Sequence, residues 1–123
     1  MSRGYQDQGY FRRKFPRRPL VQRVGVLSRG KYFIAETSEI GEGGMSLNTE
    51  FVLNNDSQIV VNFQIPDGEF VSVRAVVKST SKAGSSHVSH GISFDQLQFG
   101  HRRQIRTFVS ARQSDQENIS TSR

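Results

Sequence analysis

Apolar and polar residues alternate with a period of two through most of this 123-residue chain, then switch near residue 97 to the spacing of a helix. The two ends stand apart. Residues 1–10 (MSRGYQDQGY) and 113–123 (QSDQENISTSR) carry no periodicity and read as a flexible leader and a disordered tail. Leu20–Leu27 is rich in valine, turns at Ser28-Arg29-Gly30-Lys31, and is followed by a second β-type run at Tyr32–Thr37, which predicts a hairpin. The Gly-rich stretch Ser38-Glu39-Ile40-Gly41-Glu42-Gly43-Gly44 reads as a turn leading into a short run, Met45–Leu47. In Gln58–Ile65, Ile59, Val61, Phe63 and Ile65 share one face. Pro66-Asp67-Gly68-Glu69 predicts a turn in which Pro66 presets φ and Gly68 accepts a positive φ. Phe70–Lys78 puts Val71, Val73, Ala75 and Val77 opposite Ser72, Arg74 and Lys78, and Val88–Phe94 repeats the alternation after a polar loop.

Leu97, His101, Ile105, Phe108 and Val109 then fall on one stripe of an amphipathic helix over 97–112, with Arg102, Arg103, Arg106 and Arg112 largely off it, on the wet side. Six short strands at regular spacing followed by one helix predict a mostly β fold: a small antiparallel six-stranded β-barrel over 20–94, plugged or flanked by a C-terminal helix.

Composition narrows the function classes. Hydrophobic content of 34% supports one small core. No run approaches the roughly 20 apolar residues of a membrane span, and the N-terminus lacks a secretory signal, so the expectation is a cytoplasmic protein without membrane insertion. The absence of cysteine excludes disulfides, thiolate catalysis and the usual structural zinc sites. His87 and His90, three apart, fall on opposite faces of a strand with no third ligand nearby, and His101 reads as a packing or boundary residue. No nucleophile elbow and no acid pair suited to general acid–base work is present, so no enzyme and no cofactor are expected.

Charge is the informative quantity. The chain carries 17 Lys+Arg and 11 Asp+Glu, a net +6. Residues 1–23 hold seven of those bases and a single acid, while the remaining hundred residues hold ten of each, so the whole surplus lies in the first 23 residues. This is the signature of a neutral module with a cationic arm rather than of a uniformly basic nucleic-acid protein. The arm, Phe11-Arg12-Arg13-Lys14-Phe15-Pro16-Arg17-Arg18-Pro19, places five cations in the seven positions from Arg12 to Arg18. Its prolines prevent a regular helix. Guanidinium forks bind phosphate bidentately and the O6/N7 edge of guanine, which an ammonium does not. A solvated basic arm that binds polyanions loosely is the plainer alternative. The turn Glu39–Gly44 is the second concentration of chemistry. Its glycines let backbone N–H groups approach a ligand, and the Glu39 carboxylate can accept from a guanine N1–H and N2–H₂ pair, although an ordinary hairpin or bulge accounts for it equally.

Together these two segments resemble the PilZ domain family, the bacterial receptors for cyclic di-GMP. Arg13-Lys14-Phe15-Pro16-Arg17 resembles the family's RxxxR element and stands, as in the family, just before the first strand. Glu39-Ile40-Gly41-Glu42-Gly43-Gly44 resembles its (D/N)xSxxG element, and His90-Gly91-Ile92-Ser93-Phe94 its closing strand. The resemblance implies a PilZ-like domain over 11–112 (basic arm 11–19, barrel 20–94, helix 97–112) that binds cyclic di-GMP through Arg13 and Arg17, helped by Arg12 and Arg18, with Glu39, Gly41 and Gly44 at another face of the ligand. Two positions depart from the pattern: Glu39 replaces the usual Asp or Asn, and Gly41 deletes the usual Ser hydroxyl. The implied role is a receptor or adaptor that changes conformation on binding the second messenger and signals to an unidentified effector protein. In this scheme the arm Arg12–Arg18 is mobile until the ligand's phosphates fold it onto the barrel. The alternatives are a degenerate PilZ domain acting as a protein-interaction module in motility or pilus assembly, and a basic-arm nucleic-acid binder.

Overall fold

The computed structural model describes residues 15–82 and 86–121, the last ten of them as backbone only. The leader and the outer half of the arm, with Arg12 and Arg13, lie outside the described residues. Six strands form: β1 (Arg17–Ser28), β2 (Lys31–Gly41), β3 (Gly44–Thr49), β4 (Gln58–Gln64), β5 (Phe70–Lys82) and β6 (Val88–Asp95). They close into an antiparallel barrel in the order β1-β2-β3-β6-β5-β4, and one helix, α1 (Phe99–Thr121), follows. This is the mostly β, six-stranded barrel with a C-terminal helix that the alternation predicts.

The alternating apolar residues point inward. Val24, Val26, Val61, Phe63, Val71, Ala75 and Val77 are all essentially inaccessible to solvent. Phe63 stacks on Phe94 at 5.6 Å between ring centroids. Ile105 and Val109 of α1 join the same core, so the helix stopper is part of the barrel's interior packing. The β1–β2 hairpin turns through Arg29 and Gly30, both at positive φ, the conformation whose twist suits a two-residue hairpin.

Local details differ from the sequence reading, each for a physical reason. The first strand begins at Arg17 rather than Leu20, because Arg17, Arg18 and Pro19 pair with Gly41, Ile40 and Glu39. Pro19 lacks an N–H, and the register shift between Pro19 and Gln22 accommodates it as a bulge. In the turn after β4 it is Asp67, not Gly68, that takes the positive φ. Gly68 is needed for space: a Cβ there would stand 2.5 Å from Gln104 Oε1 and 3.0 Å from Ile65 Cγ2. The helix continues to Thr121, through residues expected to be a disordered tail. That segment contains neither Gly nor Pro, so a helix nucleated by packing at Ile105 and Val109 meets nothing that stops its propagation. His101 is no mere boundary residue, since its Nε2 lies 2.9 Å from Glu69 Oε1.

Candidate functional site

The two segments singled out in the sequence are neighbours in one ladder. Through the register at Arg17–Pro19, the inner end of the basic arm lies directly along Glu39–Gly41. Successive side chains of a strand point to opposite faces, and Arg17 and Arg18 separate accordingly. Arg17 Nη1 donates to Glu39 Oε2 at 3.0 Å. Arg18 Nη1 donates to the Phe108 carbonyl of α1 at 2.8 Å, and its guanidinium lies 4.0 Å from the centre of the Phe108 ring. These two arginines are therefore already held, in contrast to the mobile arm expected up to Arg18.

Glu39 owes its placement to a residue the sequence reading passed over. The β2–β3 register slips by one residue between Glu36 and Ile40, which leaves backbone donors without ladder partners. The Ser46 hydroxyl accepts from the N–H of Ser38 at 3.0 Å and of Glu39 at 3.2 Å. It also lies 2.8 Å from the Ser38 hydroxyl. Ser46 thus fixes the bulge that carries Glu39.

The glycines do something other than turn the chain. Among the described glycines only Gly30 has a positive φ, so Gly41, Gly43 and Gly44 are not required by backbone conformation. They are required by close approach. A Cβ on Gly41 would stand 2.6 Å from the Pro16 carbonyl oxygen and 3.1 Å from Arg17 Cγ. One on Gly43 would stand 3.1 Å from the Phe15 ring, and one on Gly44 would overlap the Ile92 carbonyl oxygen. Gly41 and Gly43 therefore form the seat of the arm, and Gly44 the seat of β6.

Glu42 stands between them and is only 8% exposed, although the sequence there reads as a turn. Its carboxylate accepts from Arg106 Nε at 2.9 Å and from Arg106 Nη2 at 3.0 Å. That hydrogen-bonded guanidinium holds the Glu42 carboxyl below its ordinary range against the opposing effect of burial, with a smaller contribution from Arg102. Arg106, expected merely on the wet side of the helix, is the clamp between α1 and the second element. No motif signals Glu42, Ser46, Arg106 or Phe108. Their roles come from contacts spanning 7 to 90 residues of sequence. Among the described residues no group of His, Asp or Glu is arranged to hold a metal ion, and no helix is long and apolar enough to cross a membrane.

Comparisons agree with this architecture. The sequence model of the PilZ domain matches residues 11–111. No curated protein matches the sequence. Among solved structures, the Bacillus subtilis inhibitor of motility (MotI/DgrA) superposes with a TM-score of 0.75 at 15% identity, over 84% of this chain and 52% of that one. Escherichia coli YcgR in complex with c-di-GMP gives 0.67 at 17% identity, over 91% of this chain and 51% of that one. The PilZ domain of YcgR with c-di-GMP gives 0.64 at 11% identity, over 89% of this chain and 98% of that one. The chain thus spans about half the length of the first two proteins and nearly all of the third, an isolated PilZ domain. With a barrel of this order, a helix that closes it, and a family match over all but the chain's two ends, the protein belongs to the PilZ domain family.

Proposed function

We propose that this protein is a cyclic di-GMP receptor of the cytoplasm that binds the dinucleotide where the basic arm meets the Glu39–Gly44 segment, and that binding changes its surface toward an effector protein. The observation that supports this reading is the juxtaposition itself. Arg17 and Arg18 stand on the strand end that lies along Glu39–Gly41, although 22 residues separate Arg17 from Glu39. Cyclic di-GMP offers two phosphates and two guanines, the groups that guanidinium forks match by paired hydrogen bonds. In this reading Arg13 and Arg17 are the principal grips and Arg12 and Arg18 assist. Glu39, once exchanged from Arg17, accepts from a guanine edge, and Gly41 and Gly44 keep the backbone close. The YcgR structures similar to this chain are complexes with c-di-GMP, which favours the same ligand.

Calorimetric titration of cyclic di-GMP at physiological salt tests the reading. Heat with saturation is expected, and Arg17→Ala should weaken binding by about ten- to a hundred-fold, the cost of losing hydrogen bonds to a charged group. Absence of heat with folded protein refutes it. A second reading, a PilZ domain that acts only through protein contacts, has one observation in its favour. Arg17 and Arg18 already have partners within the protein, and the place of the family's Ser side chain at 41 is closed by Pro16.

A further inference from the structure

The C-terminal helix is tied to the barrel at both segments of the candidate site, and by nothing that belongs to the family's sequence elements on the helix side. Arg18, beside the first element, gives its guanidinium to Phe108, by a 2.8 Å hydrogen bond to the carbonyl and by stacking 4.0 Å from the ring centre. Glu42, within the second element, takes both forks of Arg106. The start of α1, at His101 and Gln104, is held elsewhere. Gln104 Oε1 accepts from the Glu69 N–H at 2.8 Å, and His101 meets the Glu69 carboxylate. The helix therefore has one anchor at the β4–β5 turn and a second, separate anchor at the site.

One of the contacts at the site is exchangeable. A guanidinium held by a neutral carbonyl and a half-buried ring gains when a phosphate is offered, because a phosphate adds a full negative charge and a second oxygen for bidentate pairing that a single carbonyl oxygen lacks. Arg18 cannot keep Nη1 on the Phe108 carbonyl and its plane on the ring while it turns that N–H to a phosphate. We infer that Phe108 is an affinity-setting competitor for Arg18: the ligand takes Arg18 from Phe108, and the turn of α1 around Phe108 is thereby loosened from the barrel while the start of the helix stays anchored at Glu69. The inference rests on the receptor reading and adds to it which part of the surface responds. It also fixes a sign. Removing the Phe108 ring takes away one of the two holds on Arg18, leaving the carbonyl, and strengthens ligand binding, although Phe108 packs on the core and its loss weakens the fold.

The experiment combines two measurements on the full chain. First, cyclic di-GMP is titrated into wild type and Phe108→Leu, a variant that keeps apolar volume but removes the ring. Cation–π stacking at such a site predicts binding about two- to five-fold tighter in Phe108→Leu. Second, because the chain has no cysteine, spin labels at Ser72→Cys on β5 and Ser110→Cys on α1, both exposed positions, report the distance between helix and barrel in an otherwise wild-type protein. That distance distribution should shift or broaden on saturation with cyclic di-GMP. Tighter binding by Phe108→Leu together with the distance change supports the inference, as does binding seen in Phe108→Leu and absent from wild type. Wild-type binding with an unchanged distance, or with equal or weaker binding by folded Phe108→Leu, overturns it and leaves the receptor reading standing. No binding by either protein overturns both.

Discussion

Adding a single atom at Gly41 tests whether the arm is seated where the structure puts it. Family resemblance alone makes Gly41→Ser a repair, because it restores a hydroxyl that the pattern expects. The geometry predicts damage. The new Cβ would stand 2.6 Å from the Pro16 carbonyl oxygen and 3.1 Å from Arg17 Cγ. A comfortable carbon–oxygen contact requires the carbonyl to retreat by roughly 0.5–1 Å. Overpacking of this kind costs about 1–3 kcal/mol. Pro16 precedes the first strand residue and has no ladder partner of its own, so the chain gives way there and the cost falls near the low end, about 1 kcal/mol. For a domain of this size that lowers Tm by about 4–8 °C. Arg17 moves with Pro16, so its ion pair with Glu39 loosens and cyclic di-GMP binds more weakly. Two further variants calibrate the scale. Gly44→Ala, whose Cβ would overlap the Ile92 carbonyl inside the β3–β6 ladder, should be far more damaging, since neither strand can withdraw. Gly100→Ala, with nothing within 4 Å in the first turn of α1, should be neutral or stabilising by up to about 1 kcal/mol. Thermal unfolding followed by circular dichroism gives the order. An unchanged Tm for Gly41→Ser, or tighter binding by it, would refute the seating of the arm on Gly41.

Two other predictions concern titratable groups. His90 is buried among Thr49, Thr80 and the Leu53 N–H, and burial lowers its pKa below the ordinary 6.5. The unfolded chain therefore takes up a proton near pH 6.5 that the folded chain resists, so stability is full above about 6.5 and declines as pH falls below it; the urea midpoint measured from about pH 8 to about pH 5 should fall, and less so in His90→Gln. Glu39→Gln keeps the length of the side chain but presents an amide donor to guanine donors, so cyclic di-GMP should bind about ten-fold more weakly by calorimetry, while tighter binding would make Glu39 only a counter-ion of Arg17.

The fold was legible because its strands alternate cleanly. In β4, and in β5 from Val71 to Val77, every second residue is apolar and buried, which leaves a single way to turn each strand toward the core. The helix was legible for the same reason, from the stripe that contains Ile105 and Val109. What remained hidden depends on pairing across the chain. The start of β1 was misplaced because Pro19 reads locally as a break, whereas the Arg17–Gly41 register admits it at a bulge. The glycines at 41, 43 and 44 were visible as a cluster, but conformational freedom was the wrong reason for them. Only the distances to Pro16, Phe15 and Ile92 give the right one. Arg106 was indistinguishable from Arg102 and Arg103 until the fold brought Glu42 beneath it.

Those pairings also change how the charge of the site is reckoned. An anion receptor with carboxylates in its binding segment works against itself unless each acid is neutralised, since a charge removed from water without a partner is costly. Here Glu39 is met by Arg17 and Glu42 by Arg106, and a third cation, Arg18, is held by a neutral carbonyl and a ring. Three guanidiniums against two carboxylates leave these five contacting groups a net charge of only +1. A ligand with two phosphates asks for more than that. On the receptor reading the remainder would come from Arg12, Arg13 and Lys14, the outer half of the arm, which holds three of the seven bases in the chain's first 23 residues. In this reckoning the barrel supplies geometry and a nearly balanced surface, and the arm supplies the attraction. Sensitivity of ligand binding to salt should therefore follow substitutions at Arg12–Lys14 more closely than substitutions at Arg106, whose charge is already spent on Glu42.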